Sequence, residues 1–232
     1  MNPSTAIPDR VTLTGLRAGV AVPLLYFGIQ LLAAPFYPGY SFLARDASTL
    51  GSPGSTFPAI FNGGAIVTGV AMVGAALGFF RALRRFGVGP VVSWLVAGAL
   101  IGGAAGNLNA GLHPLPDPRH SSGLLASLGA GLFLVPVLLP VALWRLEGAR
   151  GLRRYLGLNL VVVLALVPVM SGLVQRWGMM AGVELPGLQS LLNNYQGVLQ
   201  RIAALTVFVP IGVAATFLGG RIPRSEPDLR VA

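Results

Sequence analysis

Both histidines of the chain, with an aspartate between them, fall in one short stretch, GLHPLPDPRHSSG, at residues 111–123. Two imidazoles and a carboxylate suit zinc, and three protein ligands leave a fourth position for a water that the metal could activate. His113, Asp117 and His120 would then serve a metal-assisted, membrane-embedded hydrolase acting on a lipid. The spacing matches no helical signature such as HExxH. Pro114, Pro116 and Pro118 stiffen the segment without making its side chains converge. The alternative is a proline-defined turn, with Ser121 and Ser122 capping the helix that follows.

A second polar set stands out because of its surroundings. Asn62, Asn107, Asn109, Asn193, Asn194, Gln196, Gln200 and Arg201 lie within or at the ends of long apolar runs, and Gln175 and Arg176 end another. Polar side chains are costly there, so their placement carries information. Arg201 is followed at once by apolar residues and requires an acid or a carbonyl as partner. Asp46 and Asp117 are the nearest acids by topology.

The elements that hold these residues follow from composition. The chain has 232 residues, 54% hydrophobic and 10% charged, whereas a soluble domain carries about a quarter charged residues. Six apolar runs are each near the ~20 residues that cross a bilayer: Leu16–Pro35, Pro58–Leu83, Val91–Leu112, Ser122–Trp144, Leu156–Val174 and Tyr195–Gly219. Internal prolines such as Pro136, Pro140, Pro168 and Pro210 are compatible with a bundle, where neighbouring helices satisfy the freed backbone groups. The first run is too long for a signal core and is read as a retained span. The expected fold is all-α: a polytopic six-transmembrane-helix bundle in one domain. Residues 1–15 form an N-terminal segment, 16–219 the bundle and 220–232 a tail.

Arginine placement orients the bundle. All basic residues are arginine. They crowd the second-to-third connection (Arg81, Arg84, Arg85), the fourth-to-fifth (Arg145, Arg150, Arg153, Arg154) and the tail (Arg221, Arg224, Arg230). The positive-inside rule makes both termini cytoplasmic and puts the loop at 113–121 outside the plasma membrane. The net charge of +9 is thereby assigned to topology and lipid headgroups rather than nucleic acid. In this arrangement Asp46, Asn62, Asn107, Asn109, His113, Asp117, His120, Asn194, Gln200 and Arg201 gather at the outer end as a candidate ligand basin.

Glycine spacing suggests how the helices pack. Gly98, Gly102 and Gly106 line one face of the third run, and Gly74 and Gly78 recur at the same interval in the second. Such faces let backbones approach closely, within one subunit, in a homo-oligomer or against a partner helix. Continued regularly, the third helix would carry this face to His113, two turns beyond Gly106.

Several chemistries are disfavoured. There is no cysteine, hence no disulfide or thiolate site. Both histidines sit in one loop, so a haem held between helices is not expected. No Asp, Glu or Lys lies deep in a run, which argues against charge-driven pumping. No Gly-x-Ser-x-Gly elbow is present. The leading expectation is a non-enzymatic membrane protein whose outer basin binds, senses or moves a small molecule or lipid headgroup. The zinc-assisted hydrolase comes second, and a structural subunit packing through its glycine face third.

Four segments, in order, resemble one family. They are ARDASTLGSPGSTFP, FNGGAIVTGVAMVGAALG, HPLPDPRH and GVLQRIAAL, within about Ser41 to Leu205. The family is domain of unknown function 998, six-span membrane proteins of bacteria and archaea. The resemblance implies a fold and no activity. It marks Leu50, Gly51, Phe61, Asn62, Asp117, His120 and Arg201 as family-motif positions. Gln200 stands where many members carry an acid before the arginine.

Overall fold

The computed structural model describes residues 10–144, 146–170, 180 and 186–223. Among these the chain is helical, without strands. The long helices are α1 (Arg10–Ala33), α2 (Pro58–Arg85) and α3 (Pro90–Leu112). There follow α4 (Leu124–Gly129), α5 (Val135–Leu143), α6 (Arg150–Met170), α7 (Pro186–Asn194) and α8 (Gln196–Gly219). Proline opens α2 and α3, where its missing N–H would have had no partner anyway. Arg84 and Arg85 close α2 against the negative end of its dipole. Arg84 also donates to the Val88 carbonyl at 2.8 Å, folding the turn into α3.

Five stretches are long and apolar enough to cross a membrane: Arg10–Phe36, Pro58–Arg85, Pro90–Leu112, Pro118–Leu143 and Gln196–Gly219. The chain is therefore a multi-pass membrane protein. Of the expected fifth span, Leu156–Val174, the part up to Met170 is helical, and the first turns of α6 carry Arg150, Arg153 and Arg154. Its last residues, with Gln175 and Arg176, lie outside the described residues.

Helix α2 packs between α1 and α3, and α8 lies against α1. Leu16, Met72, Phe79, Leu100, Leu139 and Ile211 are fully buried at the centre. The glycines act at the crossings, but not as their spacing suggests. Gly74 and Gly78 face α1 rather than α3: a Cβ on Gly78 would fall 2.4 Å from the Gly15 carbonyl carbon. The α2–α3 approach instead uses Gly69, Gly103 and Gly111. A Cβ on Gly111 would lie 2.5 Å from the Asn62 oxygen.

Gly102 and Gly106 do make a close face, and it meets the chain's own fourth segment. A Cβ on Gly106 would come within 2.9 Å of the Gly129 Cα, and one on Gly102 within 2.5 Å of the Leu128 oxygen, while Gly98 faces open space. That fourth segment is not one regular helix. It runs as α4, a 3-10 stretch at Ala130–Leu134, then α5. Pro136 cannot donate the bond to Leu132 and crowds its carbonyl, so the preceding turn tightens. Ser121 and Ser122 do not cap α4: Gly123 holds the cap position at φ 89°, and the Ser122 hydroxyl donates back to Pro118 at 2.7 Å.

Candidate functional site

The polar groups collect where the loop between α1 and α2 folds over the bundle. Within it, residues 41–45 form one helical turn closed by the Arg45 N–H on the Ser41 oxygen, 2.9 Å. The last carbonyls of such a turn have no partner of their own, and they sit directly on the start of α8. Gly197 permits this: a Cβ there would fall 2.6 Å from the Phe42 oxygen and 2.5 Å from that of Arg45. The Val198 N–H donates to Leu43 at 3.0 Å.

Arg201 completes the junction. Its Nη1 donates to the Phe42, Arg45 and Gly197 oxygens at 3.0, 3.1 and 2.8 Å. Its Nη2 donates to the Tyr40 hydroxyl, which in turn donates to the Asp46 carbonyl at 3.0 Å. The guanidinium lies 4.8 Å from the Phe42 ring centre. The partner is thus a set of carbonyls and not an acid. Asp117 is taken by Arg119, through Nη2 at 2.7 Å, Nε at 3.1 Å and the backbone N–H at 2.9 Å. These hydrogen bonds hold the Asp117 carboxyl down at about 2. The Asp46 carboxylate accepts from Gln196 Nε2 at 2.8 Å. Burial pushes its pKa up, against the Gln196 bond and the Arg201 charge.

Two amides clamp the next turn, the 3-10 helix Ala47–Gly51. Gln200 Oε1 accepts from the Ala47 N–H at 2.8 Å, and Asn62 Nδ2 donates to the Gly51 oxygen at 3.1 Å. Leu50 is fully buried beside Phe61. A Cβ on Gly51 would overlap the Asn62 side chain. Leu50, Gly51, Phe61, Asn62 and Arg201 therefore share one job, seating this loop.

Beneath the loop, between α1, α2, α3, α4 and α8, lies a cavity of about 450 Å³, within the usual range for small-ligand sites. Apolar groups such as Ala65, Leu132, Val207 and Phe208 form much of its wall, and Ser48, Asn107, Asn109, His120, Ser121 and Gln200 bring polar atoms to it. Of the ten expected basin residues, four line this cavity: Asn107, Asn109, His120 and Gln200. Asp46, Asn62 and Arg201 hold the loop above it. Asn194 is exposed and donates to Ser190 at 3.3 Å.

His113 ends α3 rather than continuing its glycine face. Its Nδ1 lies 3.5 Å from Asp117 Oδ2, and its carbonyl sits 2.8 Å from His120 Nδ1. The three residues expected to share a zinc ion do not assemble: Asp117 is engaged by Arg119 at 2.7 Å. Among the described residues, no three His, Cys, Asp or Glu side chains group to hold a metal ion.

Tyr40, Tyr26 and Gln30 join the site beyond the residues expected from the sequence. Tyr40 bridges Arg201 to the loop, and the aromatic run around it, beside Arg45, was the available signal. Tyr26 lines the cavity and stacks on Phe208 at 4.0 Å; nothing in its apolar run distinguishes it. Gln30, 2% exposed, donates to the Tyr26 carbonyl at 3.0 Å. Its signal in the sequence is an amide inside an apolar span, the same as that of Asn62 and Asn107.

The family model described as a protein of unknown function (DUF998) matches residues 20–217. No curated protein and no solved structure matches the chain.

Proposed function

The chain belongs to the DUF998 family, and on that footing we propose that it is a six-span protein, both ends cytoplasmic, whose outward-facing cavity binds a small amphiphile. It would sense that molecule or move it. The observation that carries this reading is the cavity itself: about 450 Å³, largely apolar in its lining, with amides and an imidazole bringing polar atoms to it. Polar groups at membrane depth are retained where they meet one another or a ligand. The break in the fourth segment supports the same reading, since irregular backbone at that depth is tolerated where it is buried in protein or lines a cavity. The arginine-rich connections at the opposite end support the outward direction.

The test is mass analysis of amphiphiles extracted from protein purified in phosphatidylcholine nanodiscs. It is combined with melting in the presence of monodecanoylglycerol, decyl phosphate or decyltrimethylammonium. We expect at least one to raise the melting temperature, and Ala203→Phe, which fills the cavity, to abolish that rise. No copurified amphiphile and no shift with any of the three overturns the proposal.

A further inference from the structure

The orientation of every amide and imidazole that lines the cavity is dictated by a backbone group. Asn107 Nδ2 lies 2.9 Å from the Gly103 oxygen. Asn109 Nδ2 lies 3.0 and 2.9 Å from the oxygens of Arg119 and His120. A carbonyl only accepts, so in both residues the nitrogen is identified and Oδ1 is the atom left over. His120 Nδ1 lies 2.8 Å from the His113 oxygen, so Nδ1 carries the proton and Nε2 of the neutral ring is an acceptor. Gln200 is fixed in the opposite sense. The Ala47 N–H donates to its Oε1, which leaves Nε2 as a donor. The inventory is lopsided: three acceptors and one donor without protein partners among the described residues. The hydroxyls of Tyr26, Ser48 and Ser121 do not alter the balance, since each rotates into either role, and that of Thr68, which donates to the Gly64 oxygen, adds one more acceptor.

Charge narrows the choice. Among the described residues, no charged side chain lines the cavity. Arg201 is directed to the loop carbonyls, and Asp117 is held by Arg119. Nothing on the wall therefore neutralises a phosphate or a carboxylate. A cationic head would lie beneath Arg45 of the loop and Arg201 of α8, two positive charges against the one carboxylate of Asp46. Size narrows it further. About 450 Å³ lies toward the low end of small-ligand sites, a size that suits one short chain and a head.

We infer that the cavity takes a neutral, single-chain amphiphile with a multiply hydroxylated head. Its O–H groups donate to Asn107 Oδ1, Asn109 Oδ1 and His120 Nε2, and one oxygen accepts from Gln200 Nε2. This rests on the cavity being a ligand site, as proposed above.

Calorimetry on the full chain in phosphatidylcholine nanodiscs separates the two claims. Monodecanoylglycerol, its dimethyl ether, decyl phosphate and decyltrimethylammonium are titrated in parallel. We expect the diol to bind at least ten-fold tighter than its ether, because the ether leaves buried acceptors unpaired. Asn107→Leu should weaken the diol, leave the ether unchanged and leave melting intact, as among the described residues Asn107 bonds only its own helix and Met72 Sδ. A diol-to-ether ratio below three-fold, or tighter binding of decyl phosphate or the ammonium, overturns the head-group inference while the cavity remains a binding site. No binding of any probe overturns the cavity reading itself.

Discussion

Replacing Arg201 by leucine removes four hydrogen bonds at once, and the geometry gives the size of the effect. The bonds to Gly197 and Tyr40 are partly buried and those to Phe42 and Arg45 exposed. Charge-assisted bonds contribute about 1.5 kcal/mol or more where water is excluded. Exposed ones, after discounting for solvent screening, contribute a few tenths. Releasing the long side chain returns about 2 kcal/mol of rotamer entropy. The net loss is about 2 kcal/mol, or roughly a thirty-fold rise in loop opening, since 1.4 kcal/mol is a factor of ten. The loss is local, because the helices beneath retain their own packing. Hydrogen exchange should show amides at Arg45, Thr49 and Ser52 losing about thirty-fold protection while α2 and α3 are unchanged. Arg201→Lys should recover part of it: an ammonium reaches the carbonyl cluster but cannot also serve Tyr40. Adding Asp117→Arg to Arg201→Glu should rescue nothing. Unchanged exchange in the loop of Arg201→Leu would refute the assignment of Arg201 as its anchor.

Gly106→Leu should destabilise by about 2 kcal/mol or more through overpacking against Gly129, lowering the melting temperature without changing oligomeric state; Gly98→Leu should do neither. Asp117 should titrate near pH 2 by carboxyl-detected NMR, and Arg119→Ala should return it to the ordinary range. Because its folded value is depressed, its small contribution is present above the ordinary carboxylate range and is lost as pH falls through about 2. Asp46 works in the other sense. Its raised value means the folded loop holds the proton more tightly, so loop protection should rise as pH falls through that value. The chain has no cysteine, so single cysteines report sidedness cleanly: Ser122→Cys should react with an impermeant maleimide in intact cells, and Arg85→Cys only after lysis.

What could be read from the sequence depended on the range of the interaction involved. Apolar run length needs no partner, so α2, α3 and α8 are found within a few residues of their expected limits, and the concentration of amides at one end is also recovered. Contacts between helices are a different matter. The four-residue spacing of Gly74 and Gly78 is real, and Gly15 and Gly19 repeat it in α1; yet spacing says only that a face is small, not which of several small faces it meets. Arg201 shows the same limit. Its need for acceptors was legible, but a one-turn loop whose carbonyls converge leaves no signature that competes with two visible aspartates. Leu50 and Gly51 seat the loop for steric reasons that a string of letters does not display. The division of the basin into loop anchors and cavity lining depends on which side of a helix each residue occupies after packing.

The tightened stretch at Ala130–Leu134 also changes the reach of the segment. A 3-10 turn rises about 2.0 Å per residue against about 1.5 Å in an α-helix. From Leu124 to Leu143 the chain therefore spans about 32 Å where a regular helix of the same residues would cover about 30 Å. The regular part of this crossing segment thereby gains a few ångströms over the ~30 Å hydrocarbon thickness, a margin that α2 has on helix length alone. Bilayer thickness consequently bears on this stretch first: a thinner membrane relaxes it toward an ordinary helix, and a thicker one draws it out.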